Sequence, residues 1–287
     1  MIVDEQGNKY YKLGLHIHTT ISDGRKAPED VAAEYKADGY DAIALTDHWK
    51  FGSSQELAGL KILSGCEYNM GAETISGVMH ILGIGMKHDP QIPNTSTRQQ
   101  VIDKIKEAGG IAVLAHPDWS LNTVRDAAEL SGFAATEIYN AVSEAHQSLR
   151  AYSDYFVDVC ANAGIYFNLF ATDDAHYFDG SDNRKGWIMV KADELSDEAL
   201  IEAIKKGDYY ASQGPDLQVR FDGKVIVECS PCSIIGVLSN LAWTPDRVLR
   251  GEDLTHFEYT IKKNEKWVRV EVVNADGKRA WSNVVAL

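Results

Sequence analysis

The sequence predicts an α/β fold: a parallel sheet wound through alternating strands and helices into a closed or nearly closed barrel, followed by a small antiparallel β-sandwich domain. Three observations predict it. Short apolar runs alternate with helical segments about seven times before Gly186, with short connections between them. No Gly-rich fingerprint opens the first helix, so the dinucleotide-binding form of the alternative, an open doubly wound sheet, has no support. From Pro215 onward the pattern becomes short alternating runs separated by turn signals, Asp222-Gly223 and Ala275-Asp276-Gly277. The expected division is a barrel over residues 1–212 and a sandwich over 213–287.

Each element has a local reason. Lys12-Leu13-Gly14-Leu15 begins the first strand and runs into His16-Ile17-His18. Pro28 to Asp38 reads as a helix: Pro28 suits its first turn, Glu29 and Asp30 favour its positive end, and Gly39 stops it. Strands follow at Tyr40–Thr46, Ile62–Cys66 and Val78–Gly85. Thr97 to Ala108 is helical, with Gly109-Gly110 as its stop, and Ile111–Ala115 is a buried strand. A helix at Leu121–Leu130, a strand at Ala135–Tyr139, a long helix at Ser143–Ala163 closed by Gly164, and a strand at Ile165–Ala171 complete the alternation. Trp187–Val190 is a strand, and Ser196 caps a helix that Gly207 ends. Alternating runs at 217–221, 225–229, 257–262 and 267–273 supply the sandwich.

The chain has 287 residues, 45% of them hydrophobic and 24% charged, enough for a sizeable core without staples. The net charge of -14 argues against a broad grip on long nucleic acid or an anionic membrane. The four cysteines are too few and scattered for a disulfide scaffold, and the lone Cys229-x-x-Cys232 lacks the second pair a structural zinc needs. No signal peptide and no apolar run of ~18 residues is seen, so the expected location is cytoplasmic. The oligomeric state is not legible.

Placed on such a barrel, His16, His18, Asp47, His48, Glu67, His116, Asp174 and His176 fall at or just past the C-terminal ends of strands, where barrels carry their chemistry. His80 lies within a strand run, which brings six of the nine histidines into the set. His88 and His146 read as surface residues. His16 and His18 share one face of an extended chain and can grip one ion, and Asp23 can turn back toward a neighbouring one. Burying so many ionisable groups without partners costs several kcal/mol each; divalent cations offset that. Mixed imidazole and carboxylate donors without thiolate suit Zn, Mn or Fe. The donors exceed one ion's needs, so two or three ions are expected, with Glu67 bridging a pair. Such sites hydrolyse phosphoesters by lowering the pKa of a bridging water. Arg25, Arg184 and Lys185 are candidate phosphate donors, Asn140 a candidate substrate contact, and Trp119 and Tyr177 candidate stacking surfaces.

His16-x-His18, Asp23, Thr46-Asp47-His48, Gly65-Cys66-Glu67, His80, Ala115-His116-Pro117 and Asp174-Ala175-His176 together resemble the PHP (polymerase and histidinol phosphatase) family over about residues 12–180. The resemblance implies a distorted (β/α)7 TIM-like barrel and a trinuclear site. His16, His18, Glu67 and Asp174 would hold one ion; Glu67, His80 and His116 a second; Asp23, His48 and His176 a third. Between Asp173 and Asp174, the family's Asp-x-His spacing selects Asp174. Asp47 would orient His48. The trailing Tyr209–Pro215 segment and sandwich resemble two-domain members described as metal-dependent phosphoesterases. The expected function is hydrolysis of a small phosphomonoester by a metal-bridging hydroxide, with Glu67, His116 and Asp174 as the catalytic groups. The alternatives are an exonuclease on short oligonucleotides and a non-catalytic module whose metals hold the fold. Amidohydrolase chemistry would want a bridging lysine, and neither Lys12 nor Lys50 is well placed.

Overall fold

The computed structural model describes residues 1–4, 6–71 and 77–287. In chain order the elements are β1 (Ile2–Val3), β2 (Lys9–Gly14), α1 (Pro28–Ala37), β3 (Ala42–Ala44), β4 (Gln55–Leu57), β5 (Leu60–Leu63), β6 (Gly65–Met70), β7 (Met79–Ile84), α2 (Arg98–Glu107), β8 (Ile111–Leu114), α3 (Val124–Ala128) and β9 (Phe133–Asn140). A π-helical turn (Ser143–Gln147) leads to α4 (Asp154–Asn162), β10 (Asn168–Thr172), β11 (Trp187–Lys191), α5 (Asp197–Lys206) and β12 (Tyr209–Ser212). The C-terminal strands are β13 (Leu217–Phe221), β14 (Val225–Ser239), β15 (Val248–Tyr259), β16 (Trp267–Val273), β17 (Arg279–Trp281) and β18 (Val285–Ala286).

The α/β alternation holds, but the strands form two sheets rather than one closed barrel. The smaller sheet has the order β10-β9-β8-β7-β6; the larger runs β13-β14-β16-β17-β12-β11-β2-β3-β5-β4. Among the described residues, single bridges cross between them: Ile17 to Ala175, His48 to Glu67 and Gly52 to Gly65. The physical reason lies in the segments past the strand ends. There the chain leaves ladder geometry to carry polar side chains, and Trp49 (φ 53), His116 (φ 26) and Asp174 (φ 52) turn it into the left-handed region. The apolar run expected as one strand at 62–66 also splits at Ser64: β5 joins β3 in the larger sheet, and β6 joins β7 in the smaller. At the break, Ser64 Oγ donates to the Met86 carbonyl.

The sheet is not uniformly parallel either. β7 is antiparallel to both β6 and β8. The stretch between Met70 and Met79 is shorter than the dozen or more residues a parallel crossover needs. The inversion has a consequence for the site: His80 is the second residue of β7, so a strand beginning delivers it to the end where the parallel strands finish.

The long helix expected over 143–163 is broken. Asn140 N–H donates to the Ala151 carbonyl and Ser153 N–H to that of Ile138, which pins 151–153 as a return beside β9. Periodicity alone does not register such competing tertiary hydrogen bonds.

The expected separate sandwich is not confirmed. β17 pairs with both β16 and β12, so the C-terminal strands continue the larger sheet. Their apolar faces share cores with the preceding part: Met189 and Tyr210 pack with Val227, Ile235 and Val270, while Trp267 and Trp281 join the main core. Arg269, fully buried, pairs bidentately with Asp158 of α4 at 2.7 and 3.2 Å.

Candidate metal centre

β2 projects His16-Ile17-His18 beyond its last ladder position. Alternation sends both imidazoles to one side, while Ile17 packs on the other with Tyr35, Tyr40 and Leu60. Asp23 reaches the same region because Gly24 lies directly on the His18–Thr19 backbone; a Cβ there would sit 2.5 Å from the His18 carbonyl oxygen. β3 delivers His48, β6 Glu67, β7 His80, β8 His116, and β10 Asp174 and His176.

These residues converge into three groups whose donor atoms lie within 4.8 Å of one another: His16, His18, Glu67 and Asp174; Glu67, His80 and His116; His18, Asp23, His48 and His176. The grouping matches the sets implied by the resemblance, with His18 reaching the third as well. Glu67 is the hub. Its Oε2 lies 3.3 Å from His16 Nε2, 3.0 Å from His18 Nε2 and 3.1 Å from His48 Nδ1. Its Oε1 lies 2.9 Å from His80 Nδ1 and 3.3 Å from His116 Nε2. The expected choice between neighbouring aspartates is clear in space. Asp174 Oδ1 is 3.1 Å from His16 and 3.2 Å from His18, whereas Asp173 faces away and accepts from Tyr35 and from the N–H groups of Arg184, Lys185 and Gly186.

The donor set fits divalent cations on a specific observation. His16 Nε2, His18 Nε2, His48 Nδ1, His80 Nε2 and Asp174 Oδ1 are buried and make no hydrogen bond, although carboxylate or imidazole atoms crowd them. Orphaned polar atoms of this kind cost several kcal/mol each unless something binds between them. The electrostatics agree. Burial works to lower the pKa of His16, but Asp174, Glu137 and Glu67 outweigh it and hold the imidazole well above its ordinary value. Burial works to raise Glu67, yet His16 and His80 hold it well below the carboxylate range. The carboxylates thus favour positive charge at the donor positions, which a bound cation would supply.

The groups open onto a cavity of about 230 Å³ lined also by Arg25, Trp119, Gln147 and Tyr177. The Arg25 guanidinium lies 4.4 Å over the Tyr177 ring, which stacks on His146 at 3.9 Å. Arg25 N–H donates to the His176 carbonyl, tying this rim to the cluster. Trp119 sits edge-on to His116 at 4.8 Å. His88 and His146 are exposed, as expected of them.

Other sequence expectations are redirected. Asn140 is buried and donates to Glu137 and Asp174, at 2.8 and 3.2 Å, so its amide is spent inside the protein rather than on a substrate. Arg184 lies outside the cavity lining, its backbone N–H held by Asp173. Asp47 does not orient His48: it accepts from Thr19 N–H and Oγ1 and from Ser22 N–H and Oγ, clamping the loop that carries Asp23. Among the described residues no cysteine joins a donor group; Cys229 instead donates to the Leu254 carbonyl. The sequence reading passed over Glu137, which accepts three hydrogen bonds behind the cluster. A lone carboxylate inside the apolar run Ala134-Ala135-Thr136-Glu137-Ile138-Tyr139 was the available signal.

The family model of the PHP domain matches residues 14–210. The chain belongs to the PHP domain family. Membership and the His/Asp/Glu donor set together make this PHP-domain chain a metal-dependent hydrolase. An uncharacterized protein of Methanocaldococcus jannaschii is 31% identical over 117 residues, 37% of this chain and 67% of the relative. In fold, the chain is similar to a two-domain protein from Bacteroides vulgatus containing a predicted PHP-like metal-dependent phosphoesterase, with TM-score 0.59, 16% identity, and coverage of 100% of this chain and 97% of that one. A lesion-specific endonuclease Q from Pyrococcus furiosus shows TM-score 0.48 and 16% identity over 69% of this chain and 56% of its own. A further structure of an endonuclease Q, a complex with a 27-mer duplex substrate with an abasic lesion, shows TM-score 0.49 and 16% identity over 69% of this chain and 57% of its own. Among the described residues no helix is long and apolar enough to cross a membrane.

Proposed function

We propose that this chain is a phosphoesterase that hydrolyses a small phosphomonoester, nucleotides included. One observation carries the reading: Glu67 places its two oxygens in two different donor groups at the floor of a cavity with Arg25 at its rim. His16, His18, Glu67 and Asp174 would hold one divalent ion, Glu67, His80 and His116 a second, and Asp23, His48 and His176, with His18, a third. Zn, Mn or Fe suits these donors. Ions bound there neutralise phosphoryl oxygens and acidify water.

The chain's own contribution is placement. Glu67, His116 and Asp174 line the cavity and are the proposed catalytic groups. Asn140 braces Asp174, and Asp47 braces the Asp23 loop. Arg25, stacked on Tyr177, is the proposed donor to non-bridging phosphate oxygens, since a guanidinium gives directed, charge-assisted hydrogen bonds. The -14 charge favours a small substrate over a long polyanion. Trp119 and Tyr177 favour a second reading, an exonuclease stacking the bases of short oligonucleotides.

Phosphate release with Mn²⁺ across sugar phosphates, nucleotides, nucleoside bisphosphates and short RNA tests both. Turnover of one monoester class is the expected result. Digestion of oligonucleotides alone favours the second reading, and silence across the panel with metals bound overturns both.

A further inference from the structure

Glu137 lies in the middle of β9, fully buried, with no contact to the cavity. Its carboxylate accepts from three donors on three different segments. Oε1 takes the His16 Nδ1 at 2.7 Å; Oε2 takes the His116 backbone N–H at 2.9 Å and the Asn140 side-chain amide at 2.8 Å. Two of these partners belong to different donor groups, and the third braces Asp174.

We infer that Glu137 is a positioning residue: it fixes the tautomer of His16 and the backbone of His116, and so sets where both imidazoles meet their ions. The inference rests on reading the cluster as metal-binding. An imidazole that binds an ion gives up one of its two protons and keeps one N–H. A carboxylate against Nδ1 takes that proton as a hydrogen bond, which leaves Nε2 bare. Nε2 is the nitrogen that faces Glu67 and Asp174, at 3.3 and 3.1 Å, without a hydrogen bond to either. Its lone pair is therefore free for an ion. At His116 the same carboxylate holds the N–H of a residue whose φ of 26 lies outside the usual range for a non-glycine. Releasing that N–H lets the backbone relax and carries the imidazole with it.

The arithmetic of donors makes Glu137 hard to replace. All three partners donate, so all three need an acceptor. A carboxylate offers two oxygens; a carboxamide offers one and an NH2. In Glu137→Gln, turning the amide oxygen to His16 sets the NH2 against the His116 and Asn140 donors. Turning it the other way sets the NH2 against His16 Nδ1, which must then accept, moving the imidazole proton to Nε2 and blocking that ligand. The variant is nearly isosteric, so a role confined to filling space predicts little change.

Two measurements decide it. Long-range ¹H–¹⁵N NMR of the histidines in the Zn²⁺-loaded wild-type chain reads directly which nitrogen of His16 keeps its proton. Protonated Nδ1 at His16 is expected, and protonated Nε2 overturns the inference. Zn²⁺ titration calorimetry and elemental analysis of Glu137→Gln, with far-UV circular dichroism as the fold check, give the second readout. Metal affinity is expected to fall 10–100-fold, the range for removing a partner behind a ligand, while Glu137→Asp recovers part of it. Unchanged affinity and stoichiometry overturn the inference. If the variant fails to fold, the wild-type tautomer alone decides. Neither readout depends on turnover: loss of metal affinity with no phosphate release from the wild type would sink the proposed function and leave this inference standing.

Discussion

Asp154→Asn will stabilise the protein at neutral pH and leave it unchanged in acid. Asp154 opens α4 and faces the joint between that helix and the C-terminal strands. Arg269 and Arg279 lie 3.5 and 3.6 Å from its oxygens, and Glu271 and Asp158 share those arginines. Its Oδ1 is buried without a hydrogen bond. Burial, helped by the charge of Glu271, outweighs the arginines and pushes the carboxyl from 3.8 up to about 6. The raised value means the folded state holds its proton more tightly than the unfolded chain. Stability is therefore fully present below about pH 4 and falls as pH rises toward 6. A two-unit rise corresponds to roughly 3 kcal/mol at pH 7. The side chain is 30% exposed, and solvent screening reduces this to about 1–2 kcal/mol. Asparagine is neutral throughout and removes the cost. Urea unfolding of wild type and variant at pH 4 and pH 7.5 measures it: the variant gains about 1–2 kcal/mol at the higher pH and nothing at the lower. An equal or lower stability of the variant at pH 7.5 would refute the reasoning, because it would show the arginines dominating over burial.

Glu67→Ala removes the residue common to two donor groups, so metal content by elemental analysis should fall by more than one equivalent and hydrolysis should stop; retained content ends the hub assignment. Arg25→Ala should lower kcat/KM for a phosphomonoester by roughly 10- to 150-fold, the worth of a charge-assisted hydrogen bond, while metal content stays constant. Trp281→Ala, at a fully buried ring beside Tyr139 and Tyr152, should cost about 3–5 kcal/mol in urea unfolding. Because β17 continues the larger sheet, that loss should appear as a single transition with near- and far-UV signals together; two separated transitions would show the C-terminal strands unfolding alone. Divalent metal at 100 times its dissociation constant should add about 2.7 kcal/mol of stability, lost on chelation.

The motifs alone were enough to pick out the side chains that gather into the donor groups and the type of most elements. His16-x-His18, Asp47-His48, His116-Pro117 and Asp174-Ala175-His176 each follow a short apolar run, and a polar residue ending such a run is legible because burial without a partner is costly. Capping and stop signals placed α1, α2 and α5 within a residue or two, since they act within one turn. Strand direction and pairing were set by the folded chain. That β7 runs antiparallel, that one apolar run splits at Ser64 between two sheets, and that β17 joins β12 depend on hydrogen bonds between distant segments, which no local pattern encodes. The same holds for Glu137, Asn140 and Asp47. Each is an ordinary polar residue in the sequence, and each becomes a brace only because folding sets His16, Asp174 and Thr19 within hydrogen-bond reach of it.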